Sequence, residues 1–313
     1  MTDPVAALLG ESVAMSQLRH YLPLVARSEA PVLITGETGT GKERVAEAIH
    51  HLSSRRRAPF IPVNCAALPD NLIESELFGH ERGAFTGAVT SRAGKASEAD
   101  GGTLFLDEIG EMNSHGQAKL LRFLETGAVD RIGASGSTKV NVRVVAATNQ
   151  VLEDLVQARV FRADLYYRLN VARIAVEPLR ARLEDIKPLL DGFLAHFNKL
   201  YGLSVGPPDT EFISCMERYH WPGNVRELRN MVEATYIDPP HGMLLLQHLP
   251  PAFRHLFEGH SQSVPHERDR LVAVLRCTNW NKTEAAKMLN LSRMTLYRKI
   301  SKYHLERMPT GDK

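Results

Sequence analysis

A lysine closing a glycine-rich loop and two adjacent carboxylates closing an apolar run are the residues here whose types and spacing could do chemistry. Gly36–Glu37–Thr38–Gly39–Thr40–Gly41–Lys42–Glu43 meets the pattern G-x-x-x-x-G-K. Glycines let such a loop curl until several backbone N–H groups face one anion. The helix that follows adds its partial positive charge, and the lysine reaches the outer phosphates. Glu43 stands where a magnesium-touching Ser or Thr is usual, so the match is strong but not complete. Further on, Gly101–Gly102–Thr103–Leu104–Phe105–Leu106–Asp107–Glu108 is an apolar run ending in two acids. Beside a phosphate loop, Asp107 becomes the magnesium partner and Glu108 the group that orients and deprotonates an attacking water.

Positioning those groups requires a sheet. Val32–Thr35 reads as a strand feeding the loop, and Val45, Ile49 and Leu52 mark one face of the next helix. Strand candidates at Phe60–Asn64, 101–108, Val142–Thr148 and Val171–Val176 are separated by helical stretches. That alternation predicts an α/β fold, a parallel sheet in three layers, with ligands at the C-terminal ends of the strands. Met15–Ala26 is helical ahead of the first strand, and Ser114 with Gln117 reads as a capping box for a helix carrying Leu120, Leu121 and Leu124. From Ile186 the pattern becomes helical over Ile186–Tyr201, Asp209–Tyr219 and Val225–Tyr236. The last helix follows the turn Trp221–Pro222–Gly223, with Asn224 as N-cap and Glu227 as the capping-box partner. Arg226 lies in its first turn, where the helix dipole disfavours a cation, and that invites a functional reading.

Composition bounds the rest. The 313 residues are 43% hydrophobic and 24% charged, an ordinary soluble balance for about two domains. No apolar run approaches the roughly 20 residues that span a bilayer. Met1–Gly10 carries no signal-peptide pattern, and Cys65, Cys215 and Cys277 show neither metal-type spacing nor a disulfide framework. The expectation is a cytoplasmic protein with no membrane insertion, and no additional domain fits ahead of the phosphate loop. Net charge is +2 but uneven: residues 264–313 hold 11 Lys and Arg against 5 Asp and Glu, the remainder 27 against 31. A basic tail on a mildly acidic body suits either nucleic acid or a solvated face.

Three stretches bear on partners. Gly83–Ala84–Phe85–Thr86–Gly87–Ala88 sets an aromatic and a hydroxyl among small residues; the loop either projects Phe85 toward a partner or folds it into the core. Asn149, ending the 142–148 strand, either senses the γ-phosphate or is a plain strand-to-loop junction. Arg162 and Arg168, six apart, point to different faces at about 100° per residue. Residues 237–265, rich in Pro, His and Gly, read as a linker with a short packed piece at Met243–Leu249. A compact three-helix pattern then runs from Arg268. Asn281 and Glu284 cap a short helix, Asn290 interrupts it, and Ser292 caps a second, with Leu291 and Leu296 as a hydrophobic staple. Its outward Arg293, Met294, Tyr297, Arg298 and Lys302, with Thr295, are the candidate DNA contacts of a helix-turn-helix. A plain helical hairpin satisfies the same apolar pattern.

Together these residues resemble the AAA+ activators of sigma-54 RNA polymerase, the bacterial enhancer-binding proteins. G-A-F-T-G-A at 83–88 is close to diagnostic of that family, and G-E-T-G-T-G-K-E is its form of the phosphate loop. Among members the chain looks most like the phage shock protein F type, which has no N-terminal regulatory domain. The resemblance implies an AAA+ α/β core over 1–176, a helical lid over 177–236, the linker over 237–265 and a Fis-type DNA-binding domain over 266–307. It implies that residues 36–43 bind ATP, that Lys42 holds the β/γ-phosphates, that Asp107 organises Mg2+ and that Glu108 activates water. Asn64 would be the switch residue pairing with Glu108 between turnovers, and Thr148 and Asn149 the first sensor. Arg162 and Arg168 would be arginine fingers reaching a neighbouring subunit, and Arg226 the second sensor. Phe85 and Thr86 would form the tip that grips sigma-54, and 133–139 would lie in the second pore loop. Gly94–Lys95–Ala96–Ser97 departs from the family's usual G-R-F-E.

That resemblance implies a ring, with a hexamer expected, because fingers supplied by a neighbour leave an isolated subunit without charge compensation. It further implies double-stranded DNA upstream of promoters, sigma-54 RNA polymerase and a separate inhibitory or co-activating protein as partners. Two rivals are a different ring ATPase that remodels proteins, and a DNA-binding repressor with a vestigial nucleotide site.

Overall fold

The structure, a computed structural model, describes residues 8–67, 70–84 and 89–258, and beyond these residues 282, 296 and 299. They fall in two compact units divided after Pro250.

Five strands form the central sheet of the first unit: β1 (Val32–Thr35), β2 (Phe60–Asn64), β3 (Thr103–Asp107), β4 (Arg143–Thr148) and β5 (Ala172–Ala175). They lie in the order β2-β3-β4-β1-β5, and every pairing is parallel. Side chains alternate across a strand, and in the inner strands both sets are buried, as helices on two faces require. Leu33, Leu104, Leu106, Val144 and Ala146 enter one core; Val32, Ile34, Phe105, Val145, Ala147 and Ile174 enter the other. The second core is closed by α1 (Val13–Arg27) and α2 (Lys42–Leu52), and the first by α3 (Asp70–Phe78), α4 (Ser114–Thr126) and α5 (Ala163–Leu169). Pro62 is tolerated because β2 is an edge strand. Buried Arg143 spends its guanidinium on the last carbonyls of α1, donating to Val25 at 2.7 Å and Ala26 at 3.1 Å. The expected α/β architecture is therefore present, with ends displaced by a residue or two.

Beyond the sheet, α6 (Ile186–Tyr201), α7 (Thr210–Arg218) and α8 (Asn224–Ala234) follow in sequence. Within the expected linker, Gly242–Leu244 pairs in parallel with Val205–Pro208, and Leu244 and Leu249 are buried, so this piece packs against the segment between α6 and α7. In the second unit Pro251–Glu258 is helical. Residues 282, 296 and 299 are helical and Leu296 is buried, while Arg293, Met294, Thr295, Tyr297, Arg298 and Lys302 lie outside the described residues. No helix among the described residues is long and apolar enough to cross a membrane.

Two caps differ from expectation. Asn113, not Ser114, caps α4, accepting from the Gly116 N–H at 2.8 Å. Gln117 is instead a strut: its amide donates to the carbonyls of Met112 and Val160, and its carbonyl accepts from the Arg162 N–H at 2.9 Å. Gly223 occupies the N-cap position of α8, so Asn224 is displaced by one residue into the helix and its side chain is used elsewhere. Glu227 does reach back, accepting from the Gly223 N–H at 2.8 Å.

Candidate functional site

β1 ends at Thr35 and the loop turns at once, tied to β4 by the Gly36 N–H donating to the Thr148 carbonyl at 3.2 Å. Gly41 takes φ +103 and Gly39 φ +80, left-handed conformations that favour glycine. At Gly39 there is a second reason, since a Cβ would stand 2.3 Å from the Gly223 carbonyl oxygen. The loop and the start of α8 therefore touch backbone to backbone, and the Arg226 N–H donates to the Gly39 carbonyl at 3.2 Å. Arg226 itself is exposed beside this contact.

Lys42 opens α2 and is 94% buried. Its ammonium donates to the carbonyls of Gly36 at 2.9 Å and Glu37 at 3.3 Å, and pairs with the Glu108 carboxylate at 3.5 Å. Across the site, Asn64 and Asp107 are register partners at the ends of β2 and β3. Burial raises the Asp107 carboxyl above its usual range, with the Glu108 charge adding to the effect and Lys42 opposing it. The same negative field, after burial, pushes the Cys65 thiol up to about 12. Glu108 sits just past the strand at φ 52, ψ 50, uncommon for a non-glycine residue and of the kind that clusters at functional sites.

The expected set is brought together only in part. The Asn149 N–H donates to the Glu108 carboxylate at 3.1 Å, and its side-chain amide donates to the Thr38 hydroxyl at 3.0 Å. Asn149 thereby bridges the phosphate loop and the second acid. Thr148 is buried and accepts from the Gln150 N–H at 3.0 Å. Asn64 turns its carbonyl to the N–H groups of Ala66 and Ala67, while Glu108 is engaged by Lys42 and Asn149. Glu43 is exposed on the first turn of α2.

Sequence reasoning missed four residues that hold the loop. Arg180 pairs with Glu37 through both carboxylate oxygens, one contact at 2.7 Å. Asn224 donates to the same carboxylate at 3.2 Å and to the Thr38 carbonyl at 3.0 Å, and accepts from the Leu179 N–H at 2.8 Å. These bonds, that of Arg180 first, hold the Glu37 carboxyl down at about 2. Arg182, buried, donates to the Thr40 carbonyl at 2.9 Å and faces Asp185 at 3.7 Å. Asp185, fully buried, accepts from the N–H groups of Glu11 and Ser12 at 2.7 Å each. Apart from the Arg182–Asp185 pair, three residues apart, these bonds join distant parts of the chain and so leave no local signature.

Arg162 and Arg168 stand apart from that cluster. Arg162 precedes α5 in extended backbone, so a helical angle between the two does not apply and the expectation of different faces loses its basis. Both are exposed; Arg162 pairs with Asp164 at 2.7 Å and Arg168 donates to the Leu124 carbonyl at 2.9 Å. Val160, Tyr167 and Val171 are exposed on the same short stretch.

Gly83 and Ala84 are described, whereas Phe85, Thr86, Gly87 and Ala88 lie outside the described residues. The loop's base is an antiparallel ribbon of Gly79–His80 with Arg92–Ala93. The polar stretch 133–139 forms half of a hairpin, Ser137–Lys139 against Ala128–Asp130. Where the chain reads Ala96–Ser97, Ala96 is fully buried and the Ser97 hydroxyl is buried without a hydrogen-bond partner among the described residues.

Against known proteins, residues 8–175 match the sigma-54 interaction domain, residues 180–265 the AAA+ ATPase lid domain and residues 265–303 the Fis family of bacterial regulatory proteins. The chain is 42% identical over 309 residues to the nitrogen fixation protein VnfA of Azotobacter vinelandii, covering 96% of this chain and 59% of that one. It is 43% identical over 337 residues to the DNA-binding transcriptional regulator NtrC of Salmonella typhimurium, covering 98% and 72%. Among solved structures, NtrX from Brucella abortus in complex with ATP is similar with TM-score 0.72 and 34% identity, over 95% of this chain and 69% of that one. The chain spans 58–59% of VnfA and of the Nif-specific regulatory protein of Klebsiella pneumoniae.

Proposed function

The chain belongs to the sigma-54 interaction domain family, with an AAA+ lid and a Fis-type regulatory segment following in order, and from that premise we propose that it is an ATP-hydrolysing transcriptional activator. It binds DNA upstream of promoters and remodels the closed complex of sigma-54 RNA polymerase. The observation that carries this reading is the junction of Lys42, Glu108, Asn149 and Thr38, which links the phosphate loop to the water-activating acid.

In this reading Lys42 leaves the carbonyls of Gly36 and Glu37 for the β/γ-phosphates, which frees Glu108 to accept a proton from the attacking water. Asn149 reports the γ-phosphate through its two bonds, one to each side of the site. Asp107 would hold Mg2+, which would supply charge to offset that of the phosphates. The residues present suit that ion, since it is commonly held by one or two carboxylates plus substrate phosphates, and Asp107 already lies among acids that a cation relieves. Asn64 takes up Glu108 between turnovers. Arg162 and Arg168, exposed and tied only to their own neighbourhood, supply charge compensation to an adjacent subunit, so the working unit is a ring, a hexamer in the family's pattern. Phe85 and Thr86 carry the resulting motion to sigma-54.

The site of action is the cytoplasm, where DNA and polymerase are. Likeness to the phage shock protein F type, with control by a separate inhibitory or co-activating protein, is the finer proposal, and the relatives named above are not of that type. Promoter opening by purified protein tests the function: opening with ATP but not with a non-hydrolysable analogue is expected, and equal opening with both overturns it. Thr86→Ala is expected to keep hydrolysis and lose sigma-54 engagement.

A further inference from the structure

The second residue of the phosphate loop, Glu37, is an acid placed where a polyanion has to bind. Its carboxylate is 42% exposed and is charged at neutral pH, as an ordinary glutamate is; Arg180 and Asn224 hold it lower still, at about 2. Glu43, Asp107 and Glu108 add negative charge around the same loop; Lys42 is buried within it, and Arg182 is buried against the Thr40 carbonyl with Asp185 beside it. Left unpaired, Glu37 would repel the phosphates over a few ångströms, at short enough range for salt to screen only part of the effect. Arg180 answers this with a two-pronged grip on both carboxylate oxygens, the geometry in which a guanidinium fits a carboxylate best.

Arg180 comes from the short turn Leu179–Ala181 that opens the lid, 143 residues on from Glu37. Asn224 joins the carboxylate from the other end of the lid and is itself locked by the Leu179 N–H. Glu37 is thus covered by two parts of the lid, and Arg226 follows Asn224 by two residues.

Resting on the nucleotide-binding reading above, we propose that Arg180 is a positioning residue for ATP: it neutralises Glu37 so that the phosphate loop can accept a triphosphate. The requirement is one of charge. A clasp whose purpose is only to hold the lid has a different signature, since removing either partner would then be equally harmful and removing both would be no better.

The test uses the full chain and equilibrium titration with a fluorescent ADP analogue, alongside steady-state ATP hydrolysis. Arg180→Ala is expected to weaken analogue binding by about tenfold, raising KM more than it lowers kcat. Adding Glu37→Gln in that background is expected to recover most of the loss, because the uncompensated charge is gone. Arg180→Lys, which keeps the charge and loses the fork, should fall between them. Unchanged binding by Arg180→Ala overturns the proposal, and so does a loss that Glu37→Gln fails to recover. Failure of the unaltered protein to bind the analogue at all would instead remove the nucleotide reading on which the proposal stands.

Discussion

Two regions hold their charged groups in opposite ways. Around the phosphate loop three groups are committed within the fold: Lys42 to two carbonyls and Glu108, Asn149 to Glu108 and Thr38, Glu37 to Arg180 and Asn224. Around α5 the arginines are exposed, Arg162 held by an exposed ion pair and Arg168 by a single carbonyl. An exposed ion pair of that kind contributes little, so the Arg162 guanidinium can leave at small cost. The difference teaches that one region holds acid, lysine and loop, while the other holds the spare positive charge. The proposal of a site completed between copies rests on this contrast.

Breaking the second region should have the largest effect. Arg162→Ala is expected to lower kcat by about 10³ or more while nucleotide binding persists, the scale of a supplied arginine in phosphoryl transfer. Full activity would return the arginines to a merely structural role. Glu108→Gln should bind ATP and hydrolyse it about 10²–10⁴ times more slowly, measured as phosphate release in a single turnover. Near-normal release would take Glu108 out of catalysis.

Smaller effects sharpen the description of the committed region. Asn224→Ala strips partners from the buried Leu179 N–H and from the Thr38 carbonyl, and is expected to cost about 1–3 kcal/mol, read as a lowered melting temperature. The pH dependence has a defined sign. A carboxyl lowered from 4.5 to about 2 contributes stability above its ordinary value that is lost as pH falls toward 2. The stability difference between the unaltered chain and Arg180→Ala should therefore shrink between pH 4.5 and 2, and a constant difference would show that Glu37 is not its source.

Much of the sheet was legible because its signals are local: apolar runs at 32–35, 103–107 and 143–148, and glycines where the loop needs positive φ. The placement of Lys42 at the start of α2 and of Asp107 at the end of β3, with Glu108 next, was legible for the same reason. Capping rules erred by one residue at Asn113 and Gly223, since side-chain type alone does not fix which residue leaves the helix first. Arg180, Arg182, Asp185 and the turned-in Asn224 were illegible, each defined by a partner far along the chain. The helical angle between Arg162 and Arg168 could not be read because the helix begins one residue after Arg162.

The central claim, that each active site is shared by two copies, is tested most directly by mixing two inactive proteins. Arg162→Ala keeps a sound loop and acid, and Glu108→Gln keeps sound arginines, so a mixture should regain ATP hydrolysis that neither has alone. A mixture that stays as inactive as its components would contradict the account.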